Sequence, residues 1–284
     1  MKFKLKELDI FIIDEMSMVN IYLIESVLSL LAKDCKIILV GDKNQLSPIN
    51  NCSIWNYLFE YGENSSIKSS VVNLEKTYRN FGDIALISSL IFNDDYSLLN
   101  QKIKALEKDN NSKEVSISKS REKDIPKDLF FSITSHLKRL NLSTSNLSKK
   151  KYIFVKSINN LLLNEKDLVD KIFLDLQSHL ILCEKNSGIW SVEYLNEIVF
   201  GQKKPYDLKT LKEGVPIMCT KNNNELGLSN GDIGVLIGLK NKRKYLFRKF
   251  NDNNEEIVAL IDPSNLENVV PAIAITIHLS LIHI

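Results

Sequence analysis

At 284 residues the chain is long enough for two domains, and 44% hydrophobic and 25% charged residues exclude a disordered or fibrous make-up. A formal net charge of +2 excludes capture of a polyanion by bulk charge, so a nucleic-acid partner has to be declared by motifs. Cys35, Cys52, Cys183 and Cys219 form no Cys-x-x-Cys pair, and His136, His179, His278 and His283 do not join them at ligand spacing, which argues against a disulfide frame and a structural zinc. No apolar run reaches membrane-spanning length and no h-region opens the chain, so no membrane partner is expected and the expected compartment is the cytoplasm. Lysine, asparagine and isoleucine are abundant throughout, as an AT-rich genome produces, so a single Lys or Asn carries little weight.

Ile10-Phe11-Ile12-Ile13 is a continuous apolar run ending in Asp14-Glu15, and Ile37-Ile38-Leu39-Val40 is a second one ending in Gly41-Asp42. Runs without alternation predict strands buried on both faces. Between them Ile21, Ile24, Leu28 and Leu31 recur at helical spacing, so the stretch reads as a parallel βαβ unit. Ile84, Ile87 and Leu90 predict a short helix from Asp83 to Ile91, closed by Asn93-Asp94-Asp95. Residues 101–150, rich in Lys, Asn and Ser, read as a variable connection with some helix. A strand at Leu180–Cys183 and a helix through Val192–Phe200 open a second α/β region. After Gly214, short β-type runs (Val215–Cys219, Ile233–Ile237, Tyr245–Phe247, Ile257–Ile261) alternate with turn signals such as Ser229-Asn230-Gly231-Asp232. That pattern predicts a small antiparallel barrel or meander, followed by a returning buried strand at Ala272–Ile277.

The chemistry collects where the first two strands end. Open α/β sheets bind ligands at the carboxyl edge of their strands. Asp14-Glu15 has the form of a Walker B pair, in which one carboxylate holds Mg²⁺ and the second orients or deprotonates the attacking water. Alone, such a pair is as well read as a strand terminus with two solvated acids. Gly41-Asp42-Lys43-Asn44-Gln45-Leu46 changes the balance, because it fits the helicase pattern Gly-Asp-x-x-Gln-Leu. The neutral Gln45 amide at this point can hydrogen-bond a γ-phosphate or its attacking water. Leu74-Glu75-Lys76-Thr77-Tyr78-Arg79 then supplies a Tyr-Arg pair, and the Arg79 fork suits phosphate oxygens. The three motifs in this order point to ATP and Mg²⁺ as cofactors.

Here the chain resembles the RecD family of superfamily 1 DNA helicases. Asp14-Glu15-Met16-Ser17-Met18 resembles that family's Asp-Glu-Ala-Ser-Met, and Gly188-Ile189-Trp190 leading to Leu195-Asn196-Glu197 resembles the stretch before its SH3-like insertion. Leu226–Gly234 is similar to its Leu-Gly-Leu-x-Asn-Gly-Asp-x-Gly signature. The resemblance implies an α/β fold with partial RecA-like parallel-sheet motor domains and a small SH3-like β-barrel insertion in the second. It assigns residues 1–95 to the end of the first motor domain, 96–214 to a connection and the start of the second, 215–270 to the insertion, and 271–284 to a motif V strand with a non-native tail. It further implies an ATP-dependent 5′-to-3′ helicase, part of exonuclease V, working with RecB and RecC on single- and double-stranded DNA ends in break repair. On that reading Asp14 binds the metal; Asp14, Glu15, Gln45 and Arg79 bind ATP; and Glu15, Gln45 and Arg79 are catalytic.

Ala274-Ile275-Thr276-Ile277-His278 resembles the start of motif V, which would place Thr276 and His278 against DNA. An ordinary strand end is the competing reading. The match stops after His278, and Leu279–Ile284 resembles the translation of a sequencing-adapter end. No Gly-x-x-x-x-Gly-Lys-[Ser/Thr] occurs, so the expectation is the middle of a motor without its phosphate loop or motif VI, itself inactive as an ATPase. Two alternatives stay open: a degenerate, non-hydrolysing module that binds DNA or a partner, and the helicase part of a conjugative relaxase. Trp55, Tyr57 and Phe59 could stack on bases but suit a helix core better. Lys242-Arg243-Lys244 with Arg248-Lys249 could contact phosphates, or simply decorate a basic β-turn.

Overall fold

The computed structural model describes residues 8–42, 54–65, 68–74, 81–108, 114–118, 120, 124–150, 165–238, 242–250 and 256–277. It divides into two compact units, Met1–Ser118 and Lys119–Ile284. Both mix helices with parallel strand pairs, so the α/β expectation holds at that level. Among the described residues no helix is long and apolar enough to cross a membrane.

In the first unit, β1 (Ile10–Ile13) and β2 (Lys36–Leu39) pair in parallel, Ile10 opposite Lys36 and Ile13 opposite Leu39. Helix α1 (Ile21–Leu30) makes the crossover. Its start is set by Asn20, whose side-chain oxygen accepts the Tyr22 N–H at 2.8 Å and so satisfies one of the helix's orphan donors. Helices α2 (Ile54–Asn64), α3 (Gly82–Phe92) and α4 (Tyr96–Lys108) follow. The core is small: Met16, Ile24 and Trp55, with Ile13, Val19, Leu39 and Phe59 against them. The apolar runs are therefore not buried on both faces as predicted. Ile12 is 61% and Ile38 46% exposed, because two strands and this small cluster cover only part of the sheet. Helix α3 has no buried residue although most of its side chains are apolar.

The second unit opens with α5 (Lys127–Ser148) and α6 (Lys166–Gln177). The sequence reading underrated this stretch. Ile133, His136, Leu140, Thr144 and Leu147 keep a helical stripe that is buried in the structure, but Ser, Asn and Lys between them dilute it. Strand β3 (Ile181–Cys183) pairs in parallel with β9 (Ala274–Thr276), and α7 (Val192–Phe200) packs on that pair through Leu195. Between α7 and β9 lies a five-stranded antiparallel sheet of order β7-β6-β5-β4-β8, built from β4 (Pro216–Cys219), β5 (Ile233–Ile237), β6 (Lys244–Phe250), β7 (Glu256–Ile261) and β8 (Val269–Pro271). Its middle is the predicted meander, but among the described residues no pairing closes it into a barrel: β7 and β8 are edges. Both faces are nonetheless covered. Val235, Ile237 and Leu246 pack against α5 and α6, while Leu236, Tyr245 and Phe247 alternate to the other side and meet Leu211, Leu228, Leu266 and Val269.

One histidine pair, His136 buried and His179 half-buried, ties this unit's stability to pH. His136 and His179 stack with ring centroids 5.0 Å apart, and Ser132 Oγ lies 2.9 Å from His179 Nε2. Burial first, then His179 and Arg139, hold His136 down at about 4 against nearby Asp175, and burial and Arg139 lower His179 too. An unfolded histidine titrates near its ordinary 6.5, so between about 4 and 6.5 the unfolded chain binds more protons. Urea midpoints should hold steady above that window and fall as pH drops through it. His136→Phe should flatten the profile; an unchanged slope would remove the pair as its source.

Candidate functional site

The carboxyl ends of β1 and β2 lie side by side, and the backbone joins them beyond the strands. Val40 N–H donates to Ile13 C=O at 2.8 Å, and Met16 N–H to Val40 C=O at 2.9 Å. Between these bonds the chain must leave the strand sharply. Asp14 Oδ1 accepts the Glu15 N–H at 2.8 Å, and Glu15 takes a left-handed conformation with φ 51° and ψ 42° before a 3-10 turn at Met16–Met18. A non-glycine residue pays to sit there, and such strain gathers where a side chain must be aimed. Met16 and Ser17 bury themselves, which leaves the Asp14 and Glu15 side chains exposed at the sheet edge.

Gly41 explains why the second strand ends as it does. A Cβ there would stand 3.1 Å from Trp55 Cε2, 3.2 Å from Ser17 N and 3.3 Å from Met16 Cβ. A side chain at 41 would ask these neighbours to give by a few tenths of an ångström, so glycine lets the 41–42 turn lie closely against the 15–17 turn and the Trp55 ring. Sequence reasoning missed this role of Trp55, although the Gly before Asp42 was the available signal. Trp55 and Phe59 are core or packed against it, while Tyr57 is 68% exposed.

Asp14 and Glu15 thus share an edge with the turn at Gly41-Asp42. Gln45, Arg79 and His278 lie outside the described residues. Thr276 ends β9 in the other unit, opposite Cys183 and 8% exposed. Among the described residues no group of three or more His, Cys, Asp or Glu could hold a metal ion. The donor set at Asp14 is instead a carboxylate on an open edge, which suits Mg²⁺ when phosphates and water supply the remaining oxygens.

Four of the five basic residues, Arg243, Lys244, Arg248 and Lys249, are engaged internally, while Lys242 is exposed. Arg248 pairs with Asp170 at 2.5 Å and lies over the Phe173 ring, and Lys244 pairs with Asp262 at 2.6 Å. Arg243 donates to the Leu208 carbonyl at 2.7 Å, and Lys249 to that of Leu226. These contacts fasten the antiparallel sheet and its loops.

Residues 1–51 match the family model described as an AAA domain. The chain is 29% identical, over 95% of its length, to the RecBCD enzyme subunit RecD of Buchnera aphidicola subsp. Schizaphis graminum. This chain is similar to RecD. A second RecD, from Buchnera aphidicola subsp. Acyrthosiphon pisum, is 28% identical over 96% of the chain. The chain spans about half the length of these curated RecD relatives, 47% of each. Among solved structures, Bacteroides Pif1 bound to ssDNA matches over 96% of the chain and 62% of its own, at 14% identity and a TM-score of 0.41. The same helicase in complex with ADP-AlF3 and ssDNA matches at 16% identity, again over 96% of this chain and 62% of its own, with a TM-score of 0.39.

Proposed function

We propose that this chain is part of the motor of a RecD-like, ATP-dependent 5′-to-3′ DNA helicase of superfamily 1. The observation that carries the reading is the Asp14-Glu15 pair, aimed from a strained turn at the carboxyl edge of parallel strands and locked to the Gly41 turn. RecD similarity along nearly the whole chain supports it. In this reading the units are RecA-like, and the antiparallel sheet stands where the family has its SH3-like insertion. Mg²⁺ bound to ATP would supply charge neutralisation at the phosphates. Asp14 holds the ion, Glu15 the attacking water, and Gln45 and Arg79 contact the γ-phosphate. Thr276 and His278 meet DNA. The whole protein works in the cytoplasm with RecB and RecC as exonuclease V at DNA ends in break repair. The polypeptide by itself, with no Gly-x-x-x-x-Gly-Lys-[Ser/Thr] in its sequence, has no cradle for the triphosphate and should not turn ATP over.

The Gln45 role is tested in a full-length RecD-type protein carrying this chain. Gln45→Ala should lower DNA-stimulated ATPase and unwinding by about 10- to 100-fold while DNA affinity holds, since one neutral hydrogen bond to the reacting phosphate is lost. A fall in DNA affinity alone would make Gln45 a nucleic-acid contact instead.

A further inference from the structure

The loop between β3 and α7 has no part in the site above, yet it is built to present an aromatic ring. Because α7 packs back on the β3–β9 pair, the 184–191 loop turns over the carboxyl edge of those parallel strands, the edge that also ends in Thr276. Its backbone is pinned. Val192 N–H donates to Lys185 C=O at 3.2 Å and Glu193 N–H to Asn186 C=O at 3.0 Å. The fully buried Ser191 hydroxyl donates to Gly188 C=O at 2.7 Å and accepts the Tyr194 N–H at 3.1 Å.

From this frame the tip stands out. Gly188 has φ 98°, and an added Cβ there meets nothing within 4 Å, so the space above it is open. Ile189 is 47% exposed. Trp190 is partly exposed and held left-handed, with φ 61°, where a bulky residue is a genuine outlier. Tyr194 lies beside it, ring centroids 6.3 Å apart at 53°. A loop could relieve this strain with glycine or asparagine. Keeping an indole there makes sense if the ring itself is used, and strained residues gather at ligand clamps.

Resting on the helicase reading above, we infer that Trp190, with Ile189 beside it and Tyr194 behind it, is a stacking platform for a base of single-stranded DNA at the carboxyl edge of the β3–β9 pair. Every base offers a π-face, so such a platform is tolerant of sequence, as a translocating motor requires. The pinned loop holds the ring in place before the strand arrives, so little ordering entropy is lost on binding.

The chain has two tryptophans, so a Trp55→Phe background leaves Trp190 as the sole indole emitter. Titration with an unlabelled oligothymidylate should quench its emission, in parallel with binding read by anisotropy of a labelled strand. Trp190→Gly should weaken binding about 5- to 150-fold, the scale of one base–aromatic stack. It should also melt at or above the parent's temperature, because glycine relieves the left-handed strain. Trp190→Phe should retain most of the affinity. Binding that leaves Trp190 emission unchanged, or that Trp190→Gly does not weaken, overturns the platform and leaves the helicase reading standing. If the chain binds no oligothymidylate at all, the platform and the DNA contact of this unit fall together.

Discussion

Glu15→Gln in a full-length RecD-type protein carrying this chain should lower kcat for ATP hydrolysis by at least about 100-fold while Mg·ATP binding stays within a few-fold of the parent. The amide keeps the shape of the carboxylate, so the turn at φ 51° should be undisturbed, but it could not take a proton from water as the proposed role requires. Asp14, which accepts the Glu15 N–H, should behave differently: Asp14→Asn should weaken Mg·ATP binding itself, because the charged ligand proposed for the ion would be lost. The two neighbouring acids are thereby separated by their kinetics. A Glu15→Gln enzyme with a rate within a few-fold of the parent would remove Glu15 from the water.

How much of this was legible in the sequence differs between the two units. The β1–α1–β2 unit was readable because unbroken apolar runs ending in acids leave few alternatives, and Asn20 marks the helix start. The left-handed turn at Glu15 was not: Glu is a poor marker of positive φ, and the turn is imposed by the bond from Met16 to Val40. Gly41 was visible as a motif letter, but its reason, the closeness of Trp55 and Ser17, is a tertiary fact. In the second unit the stretch holding α5 read only as a connection with some helix, because its buried stripe includes His136, Ser143 and Thr144, which a hydropathy pattern scores as polar. Four of the five antiparallel strands were found at the right places; β8 was not, because three residues ending in Pro271 are too short to show a strand pattern.

Gly214→Ala should severely destabilise the second unit. Gly214 has φ 88°, and a Cβ there would lie 2.5 Å from Asn141 N, 2.6 Å from Asn141 Cα and 2.8 Å from Leu140 C. All three are backbone atoms inside α5, so no side chain can swing aside. The position cannot shift cheaply either. Gly214 N–H donates to Leu236 C=O at 2.8 Å, and the Asn141 side chain donates to the Glu213 carbonyl at 2.7 Å. The buried Glu213 carboxylate accepts from Ser148 and, at 2.8 Å, from Gly238 N–H. Backbone strain and overpacking together should cost at least about 3 kcal/mol, in the range reserved for such combined defects. That is a large share of the roughly 5–15 kcal/mol that holds a domain folded. Urea denaturation followed by far-UV circular dichroism would read it as a large drop in midpoint. A loss under about 1 kcal/mol would mean that the 213–214 turn does not clamp α5.

The central claim is that the turns after β1 and β2 act on one γ-phosphate and its water, and a double-mutant cycle on Glu15 and Gln45 tests it most directly. Steady-state ATP hydrolysis would be measured, with single-stranded DNA present, for the parent, Glu15→Gln, Gln45→Ala and the double variant. Groups that act as a unit are strongly non-additive, so the double variant should be about as slow as Glu15→Gln alone. Losses that multiply would mean that the two residues act independently, and the shared site at the end of β1 and β2 would be contradicted.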